Sequence, residues 1–264
     1  MASFDPVTSV VRALTVLRIV NEIEFASIKQ LHKETKLHRS TVLRMLETLI
    51  SEGYVTRDEQ SGMYMPTGKT LLLSKGFDGK RHLSQMASPT MLALRERIGW
   101  PSDLAILDGT DMMIIETSRE YNIMAINHKA GVRAPLLLTS LGRAYLAFCK
   151  APRQEQLLKM LASSKRSVDA PARDDPKGVA KLLATIRKQG YAVPDVKFNQ
   201  SSSSGAGLVT GFSVPVFKND EVFASLSTSF LISAMPLEQG IETLFPALRE
   251  TADTLGKLIS ENYS

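Results

Sequence analysis

Apolar residues recur at helical spacing through the first fifty positions. In "TSVVRALTVLRIVNE" Val10, Leu14 and Leu17 lie four and three apart, which predicts a helix with Thr8 or Ser9 as N-cap. In "SIKQLHKETK" Ser27 caps a second, short helix whose apolar face is Ile28 and Leu31. After a bend at Lys36, Leu37 and His38, the stretch "HRSTVLRMLETLISEGYVTRD" sorts Val42, Leu46, Leu49 and Ile50 to one side of a helical wheel and Ser40, Arg44 and Glu47 to the other. Leu43 flanks the apolar stripe and is expected to pack. Gly53 ends the helix, and "YVTRDEQSGMYMPT" then gives two short strand-like runs about Glu59, Gln60, Ser61 and Gly62, a hairpin pattern. Three helices, a short turn between the second and third, and a hairpin make a winged helix-turn-helix over residues 7–67.

The next stretch, "TGKTLLLSKGFDGKRHLSQMASPTMLALRERIG", restarts a helix after Thr67, is interrupted between Gly76 and Gly79, and resumes up to Gly99. Residues 68–82 are expected to connect two domains. From Trp100 the texture changes. "DLAILDG", "DMMIIETSR" and "NIMAINHKA" predict three successive strands, and "TSLGRAYLAFC", "RQEQLLKMLAS" and "DPKGVAKLLATIRKQGY" predict helices. "GLVTGFSVPVF" and "VFASLSTSFL" return as strands before a last helix from about Pro236 to Glu261. Strands, then helices, then strands predict an antiparallel sheet with helices packed on it, an α+β domain over 83–264.

Composition narrows the function classes. No run approaches eighteen apolar residues, and "MASFDPVTSVVRAL" lacks the features of a signal peptide, so a cytoplasmic protein without membrane partner is expected. One cysteine, Cys149, allows no internal disulfide and no cysteine-built zinc cage, and the sequon at Asn199 then carries no meaning. The formal charge of +5 suits a polyanionic partner. Residues 1–82 hold 12 Lys and Arg against 9 Asp and Glu, and residues 83–264 hold 20 against 18, so the first third is the more basic. There is no His-Glu-x-x-His, phosphate loop or Gly-x-Ser-x-Gly elbow, and the glycines of "SSGAGLVTG" precede a strand rather than a helix. Cys149 and His128 are better read as a core thiol and a loop histidine than as a dyad. An enzyme is not expected, nor a cofactor or metal.

The residues carry a family likeness. "STVLRMLETLISEGYV" in the first half, with "GVRAPLLLTSLGRAYLAF", "IRKQGY" and "GFSVPVF" followed by "VFASLSTS" in the second, resembles the IclR family of bacterial transcriptional regulators over essentially the whole chain. The resemblance implies an effector-binding second domain with a curved, GAF/PAS-like antiparallel sheet flanked by helices. It also implies a homodimer, or a tetramer of dimers, formed with help from the first helix on a roughly palindromic double-stranded operator, with RNA polymerase as a further partner. "WPSDLAILD" and "ETSREYNIMAINHKAGVRAPLLLTSLG" most resemble activators of aromatic-acid catabolism, such as those answering hydroxyphenylpropionate.

In a helix-turn-helix the first turn of the recognition helix reaches base edges. Arg39, Ser40, Thr41 and Arg44 are expected there, with plain capping the competing reading for the two hydroxyls. Lys29, His38, Arg57 and Arg12 suit phosphate contacts, while Glu47 would repel phosphate. In "RAPLLLTSLGRA" a strand-like run ends at Thr139, and a helix start at Ser140, Leu141 and Gly142 offers free N–H groups to an anion, an ordinary N-cap being the alternative. The resemblance implies that a small organic acid sits there. It implies also that Ser227 and Ser229 line the cavity and that Asp195 lies on a closing loop. Gly211 stands where a cysteine is common in the family, which is expected to leave room for a larger acid. Ser140 and Arg143 replace the family's usual alanine and lysine. Arg119, His128 and Arg133 are further candidates to pair with a carboxylate or phenol, or else surface groups. The expected function is an effector-controlled DNA-binding regulator. The alternative is a ligand-independent DNA-binding protein whose second half only oligomerises.

Overall fold

A computed structural model describes residues 5–119, 130–196 and 209–262, with backbone alone for 74–80. The chain divides into two compact units, Met1–Asp78 and Gly79–Ser264.

The first unit holds α1 (Thr8–Ile23), α2 (Ile28–Thr35), α3 (Arg39–Ser51) and a hairpin of β1 (Val55–Arg57) and β2 (Tyr64–Pro66). Its core joins Val16, Leu17, Ile19 and Val20 of α1 to Leu31, Val42, Leu46, Leu49, Val55 and Tyr64. Two expectations for α1 fail. Val7 is the N-cap, with no side-chain hydrogen bond, so neither Thr8 nor Ser9 caps the helix. Val10 and Leu14 are 53% and 60% exposed, because the rest of the unit covers only the second half of α1. Ser27 caps α2 as expected, and Gln30 returns the bond in a capping box. Ile50, expected inside, faces solvent in the last turn of α3, where the chain reverses through Gly53 at φ +73°. The wing pairs Val55 with Pro66 and Arg57 with Tyr64, and its turn closes where the Asp58 carboxylate accepts the Ser61 N–H at 2.7 Å. A bridge from Ala26 to Tyr64 ties the hairpin to the α1–α2 connection.

The predicted interruption near Gly76 is absent. A 3-10 helix, Gly68–Phe77, runs directly into α4 (Asp78–Ile98). The second unit is built on a five-stranded antiparallel sheet of β3 (Ser102–Asp108), β4 (Asp111–Thr117), β5 (Arg133–Pro135), β6 (Val209–Lys218) and β7 (Glu221–Leu231), in the order β5-β4-β3-β7-β6. Bulges between Leu104 and Ala105 and between Val216 and Phe217 curve it. The third predicted strand, "NIMAINHKA", falls almost wholly outside the described residues. The run expected to be strand up to Thr139 is strand only to Pro135 and then turns.

Strand alternation gives the sheet two different faces. Leu104, Ile106, Phe212, Val214, Leu226 and Phe230 meet α4 and the last helix, α9 (Leu237–Asn262). On the other face Ala105, Met112 and Ile114 pack against α5 (Ser140–Phe148), with α6 (Ala151–Ala162), α7 (Ala170–Asp174) and α8 (Pro176–Gln189) outside it. Ser213 of β6 and Ser225, Ser227 and Ser229 of β7 also lie on the α5 side, where serines stand instead of aliphatic residues. Among the described residues no helix is long and apolar enough to cross a membrane.

Candidate nucleic-acid interface and effector site

The turn between α2 and α3 is fixed by backbone and imidazole bonds. Lys36 takes a left-handed conformation at φ 56°, and the His32 ring meets the Leu37 carbonyl at 2.6 Å. His38 is the N-cap of α3: its Nδ1 accepts from the Ser40 N–H at 3.4 Å and lies 2.8 Å from Ser40 Oγ. The capping alternative weighed for Ser40 and Thr41 thus belongs to His38. Arg39, Ser40 and Arg44 are exposed and Thr41 is half-buried, all on the first turns of α3, whose positive dipole end faces outward with them. Lys29, Arg57 and Arg12 are exposed too. On the wing, the Arg57 guanidinium lies over the Tyr64 ring, 5.7 Å from its centroid.

Two residues of this surface escaped sequence reasoning. Lys69 donates to the Glu52 carbonyl at the end of α3 and covers the Tyr54 ring at 4.8 Å. Leu43, expected to pack, is 38% exposed and lines a concavity with Ile28, Lys29, Arg39 and Ser40. Its spacing of three and four from Ser40 and Arg39 was the available signal.

In the second unit the start of α5 lies against the serine face of the sheet. Thr139 caps the helix, accepting from the Gly142 N–H at 3.2 Å while donating to the Pro135 carbonyl at 2.8 Å. Ser140 Oγ meets Ser213 Oγ at 2.8 Å, and Leu141 is buried in the core. Gly142 is required by packing: a Cβ there would fall 2.3 Å from Leu136 Cα. Ser213 pairs with Ser227 and Gly211 with Ser229 across β6 and β7, so Ser227 and Ser229 share the expected face. Ser227 Oγ reaches the Asp103 carbonyl at 3.4 Å, and Ser229 Oγ accepts from Arg119 Nη2 at 3.1 Å. Arg119 also grips the Asp103 carboxylate through Nε at 3.2 Å and Nη2 at 2.9 Å, a pair whose side chains are 8% and 1% exposed. Thr117 Oγ1 donates to the same carboxylate at 2.6 Å. Ser225, on the same face and fully buried, has a hydroxyl without a hydrogen-bond partner among the described residues.

Two expectations change, and for Arg133 the surface alternative holds. Arg143, the cation standing where the family usually has lysine, is buried and structural. It donates to the Leu137 carbonyl at 2.7 Å, the Val193 carbonyl at 3.1 Å and the Asp195 carboxylate at 2.9 Å. Burial lowers its pKa, and Asp195 opposes that shift. Asp195 is therefore engaged by the protein at the start of α5, with its N–H on the Leu138 carbonyl. The missing side chain at Gly211 opens no room, since a Cβ would stand 2.1 Å from the Thr228 carbonyl oxygen; the glycine admits the backbone of β7. Arg133 lies at the closed end of the β3–β4 hairpin, opposite to Asp103, and binds Asp108 at 2.6 Å and Asp111 at 3.3 Å. It does not join the α5 group. His128 lies outside the described residues.

Arg166 completes the Arg133 network by bridging Asp111 and Asp169. Burial alone would raise the Asp111 carboxyl, but hydrogen bonds and charge from Arg166 and Arg133 outweigh it and hold the group below the ordinary range. A carboxyl depressed in the folded state contributes stability above its unfolded pKa of about 4, and the contribution is lost as pH falls through the folded value. Asp111→Asn is expected to lower the urea midpoint at neutral pH, by a gap that narrows as pH falls from about 5 toward 3. A gap of constant size would show that shape rather than charge is at work.

Comparison with known proteins agrees with both halves. Residues 9–59 match the IclR helix-turn-helix domain, and residues 79–257 match the bacterial transcriptional regulator IclR C-terminal domain. The chain is 27% identical over 247 residues to the HTH-type transcriptional regulator TsaQ1/TsaQ2 of Comamonas testosteroni, covering 92% of this chain and 85% of that one. It is 29% identical over 231 residues to the HTH-type transcriptional regulator XynR of Escherichia coli K12, covering 86% and 87%. An IclR homolog from Microbacterium hydrocarbonoxydans, solved in complex with 4-hydroxybenzoate, shares the fold with a TM-score of 0.66 at 20% identity, over 96% of this chain and all of that one. A winged helix-turn-helix followed by a helix-flanked antiparallel sheet, with the matching domain in each half, places this chain in the IclR family of bacterial DNA-binding transcriptional regulators.

Proposed function

We propose that this regulator's hold on its operator is set by a small organic acid bound at the start of α5, and that the acid is aromatic and hydroxylated. The observation that carries the reading is the gathering of Arg119 and the hydroxyls of Ser213, Ser225, Ser227 and Ser229 on the sheet face that α5 covers. A buried hydroxyl without a partner, as at Ser225, costs free energy that a polar ligand atom offsets. The 4-hydroxybenzoate complex of the Microbacterium homolog supports the aromatic class.

In this reading residues 7–67 bind DNA, 68–82 connect and 83–264 take the effector. Arg39, Ser40, Thr41 and Arg44 face bases, and His38, Lys29, Arg57 and Arg12 face phosphates. Thr139 to Gly142 receive the carboxylate, with Ser227, Ser229 and Arg119 around it and Asp195 at the edge. The chain acts in the cytoplasm as an activator. The strip of Val7, Val10, Val11 and Leu14, all more than half exposed on one side of α1, supports pairing of two copies on a roughly palindromic site.

The test is thermal melting and operator binding of the full chain with hydroxyphenylpropionates, hydroxybenzoates, glyoxylate and pyruvate. A ligand at a hundred times its Kd adds about 2.7 kcal/mol of stability, a shift of several degrees. Hydroxylated aromatic acids are expected to give that shift and to change operator affinity. Response to the short acids alone would remove the aromatic class. No response to any acid would leave a ligand-independent DNA-binding protein.

A further inference from the structure

We propose that Leu43, with Ile28 beside it, reads the C5-methyl group of a thymine in the operator. The inference rests on α3 being the recognition helix. Leu43 follows Arg39 by four positions and Ser40 by three, so it shares their outward face. It belongs to the exposed large apolar residues and not to the buried core of its unit. Together with Ile28, Lys29, Arg39 and Ser40 it lines a concavity of about 370 Å³, more than a methyl group fills. The site is therefore apolar, with two cations and a hydroxyl at its margin.

This combination selects its occupant. Lys29 and Arg39 disfavour a second copy of the same face through like charge, and they attract the phosphates that flank a groove. In the major groove hydrogen-bonding groups dominate the base edges, and the thymine methyl is the apolar group among them. An exposed leucine within reach of bases gains from burying that methyl and gains nothing at a cytosine, which lacks it. Arg39 and Arg44 supply hydrogen bonds on either side, so Leu43 adds a preference that neither arginine can express.

The experiment begins with full-length protein and a random duplex library, from which a binding sequence is selected. Each thymine of that duplex is then replaced by deoxyuridine, which keeps every hydrogen-bonding group and removes the methyl alone. At one thymine in each half-site, binding is expected to weaken roughly fourfold, the worth of one buried methyl. In Leu43→Ala the ratio between the two duplexes is expected to fall to about one, with melting temperature unchanged because the side chain is partly exposed. Arg44→Ala is expected to weaken binding to both duplexes while keeping the ratio. Deoxyuridine without effect at every thymine, or an effect that persists in Leu43→Ala, would overturn the proposal and leave DNA binding standing. Failure to select any sequence would overturn the placement of α3 as well.

Discussion

Arg119→Met is expected to destabilise the second unit by about 3–5 kcal/mol, the largest loss foreseen for any single change here. The substitution removes the guanidinium that reaches the Asp103 carboxylate with two nitrogens, and it takes those charge-assisted hydrogen bonds from a carboxylate that is 1% exposed. It also withdraws the donor to Ser229 Oγ, so the edge of the serine face loses its orientation together with the ion pair. Urea unfolding measures the effect. Adding Asp103→Leu should recover most of the loss, because an apolar pair of similar bulk avoids the desolvation penalty. A single-variant loss below about 1 kcal/mol would mean that the pair is solvated or redundant, as surface pairs are. Recovery in the double variant without recovery of effector binding would separate the pair's structural part from its part at the site.

Gly142→Ala is expected to cost about 3 kcal/mol, against the usual gain of about 1 kcal/mol for that exchange inside a helix. The sign reverses because the new Cβ would lie 2.3 Å from Leu136 Cα, 2.4 Å from its carbonyl oxygen and 2.6 Å from its carbonyl carbon. These are backbone atoms, which cannot rotate away as a side chain would. The turn before α5 would have to move, and with it the Leu137 carbonyl that Arg143 holds and the Leu138 carbonyl that Asp195 holds. Gly68→Ala, whose Cβ position has open space around it, is the control and should stay within about 0.5 kcal/mol. Equal melting temperatures for the two variants would show that α5 can be lifted from the turn at little cost.

The elements that periodicity reveals were legible in advance: the three helices of the first unit, its wing, the long helices α6, α8 and α9, and strands β3, β4, β6 and β7. Short elements were not. α7 has five residues, too few for a period to register, β5 stops at Pro135 where the apolar run to Thr139 read as strand throughout, and the 3-10 helix at Gly68 resembles an α-helix in its apolar spacing. Amphipathic spacing also tells which residues share a face without telling what covers it. Val10 and Leu14 do line up with Leu17, yet only Leu17 finds neighbours. Among the candidate site residues, Ser227 and Ser229 came from the family resemblance, and strand alternation puts both on one face of β7. Arg143 was misplaced because its partners Val193 and Asp195 stand 50 and 52 positions away and leave no local mark, whereas Arg133 takes the surface alternative, half exposed on Asp108 and Asp111.

The two-sided character of β7 separates two kinds of mutational risk. Ala224, Leu226 and Phe230 belong to a core shared with α4 and α9, where any change of volume is felt throughout the packing. On the opposite face the Ser227 hydroxyl reaches the Asp103 carbonyl, the Ser229 hydroxyl accepts from Arg119, and Ser225 is fully buried beside Ala105. Neighbouring substitutions on this one strand thus disturb different things: polar bonds to Asp103 and Arg119 at Ser227 and Ser229, and close packing at Leu226 and Phe230.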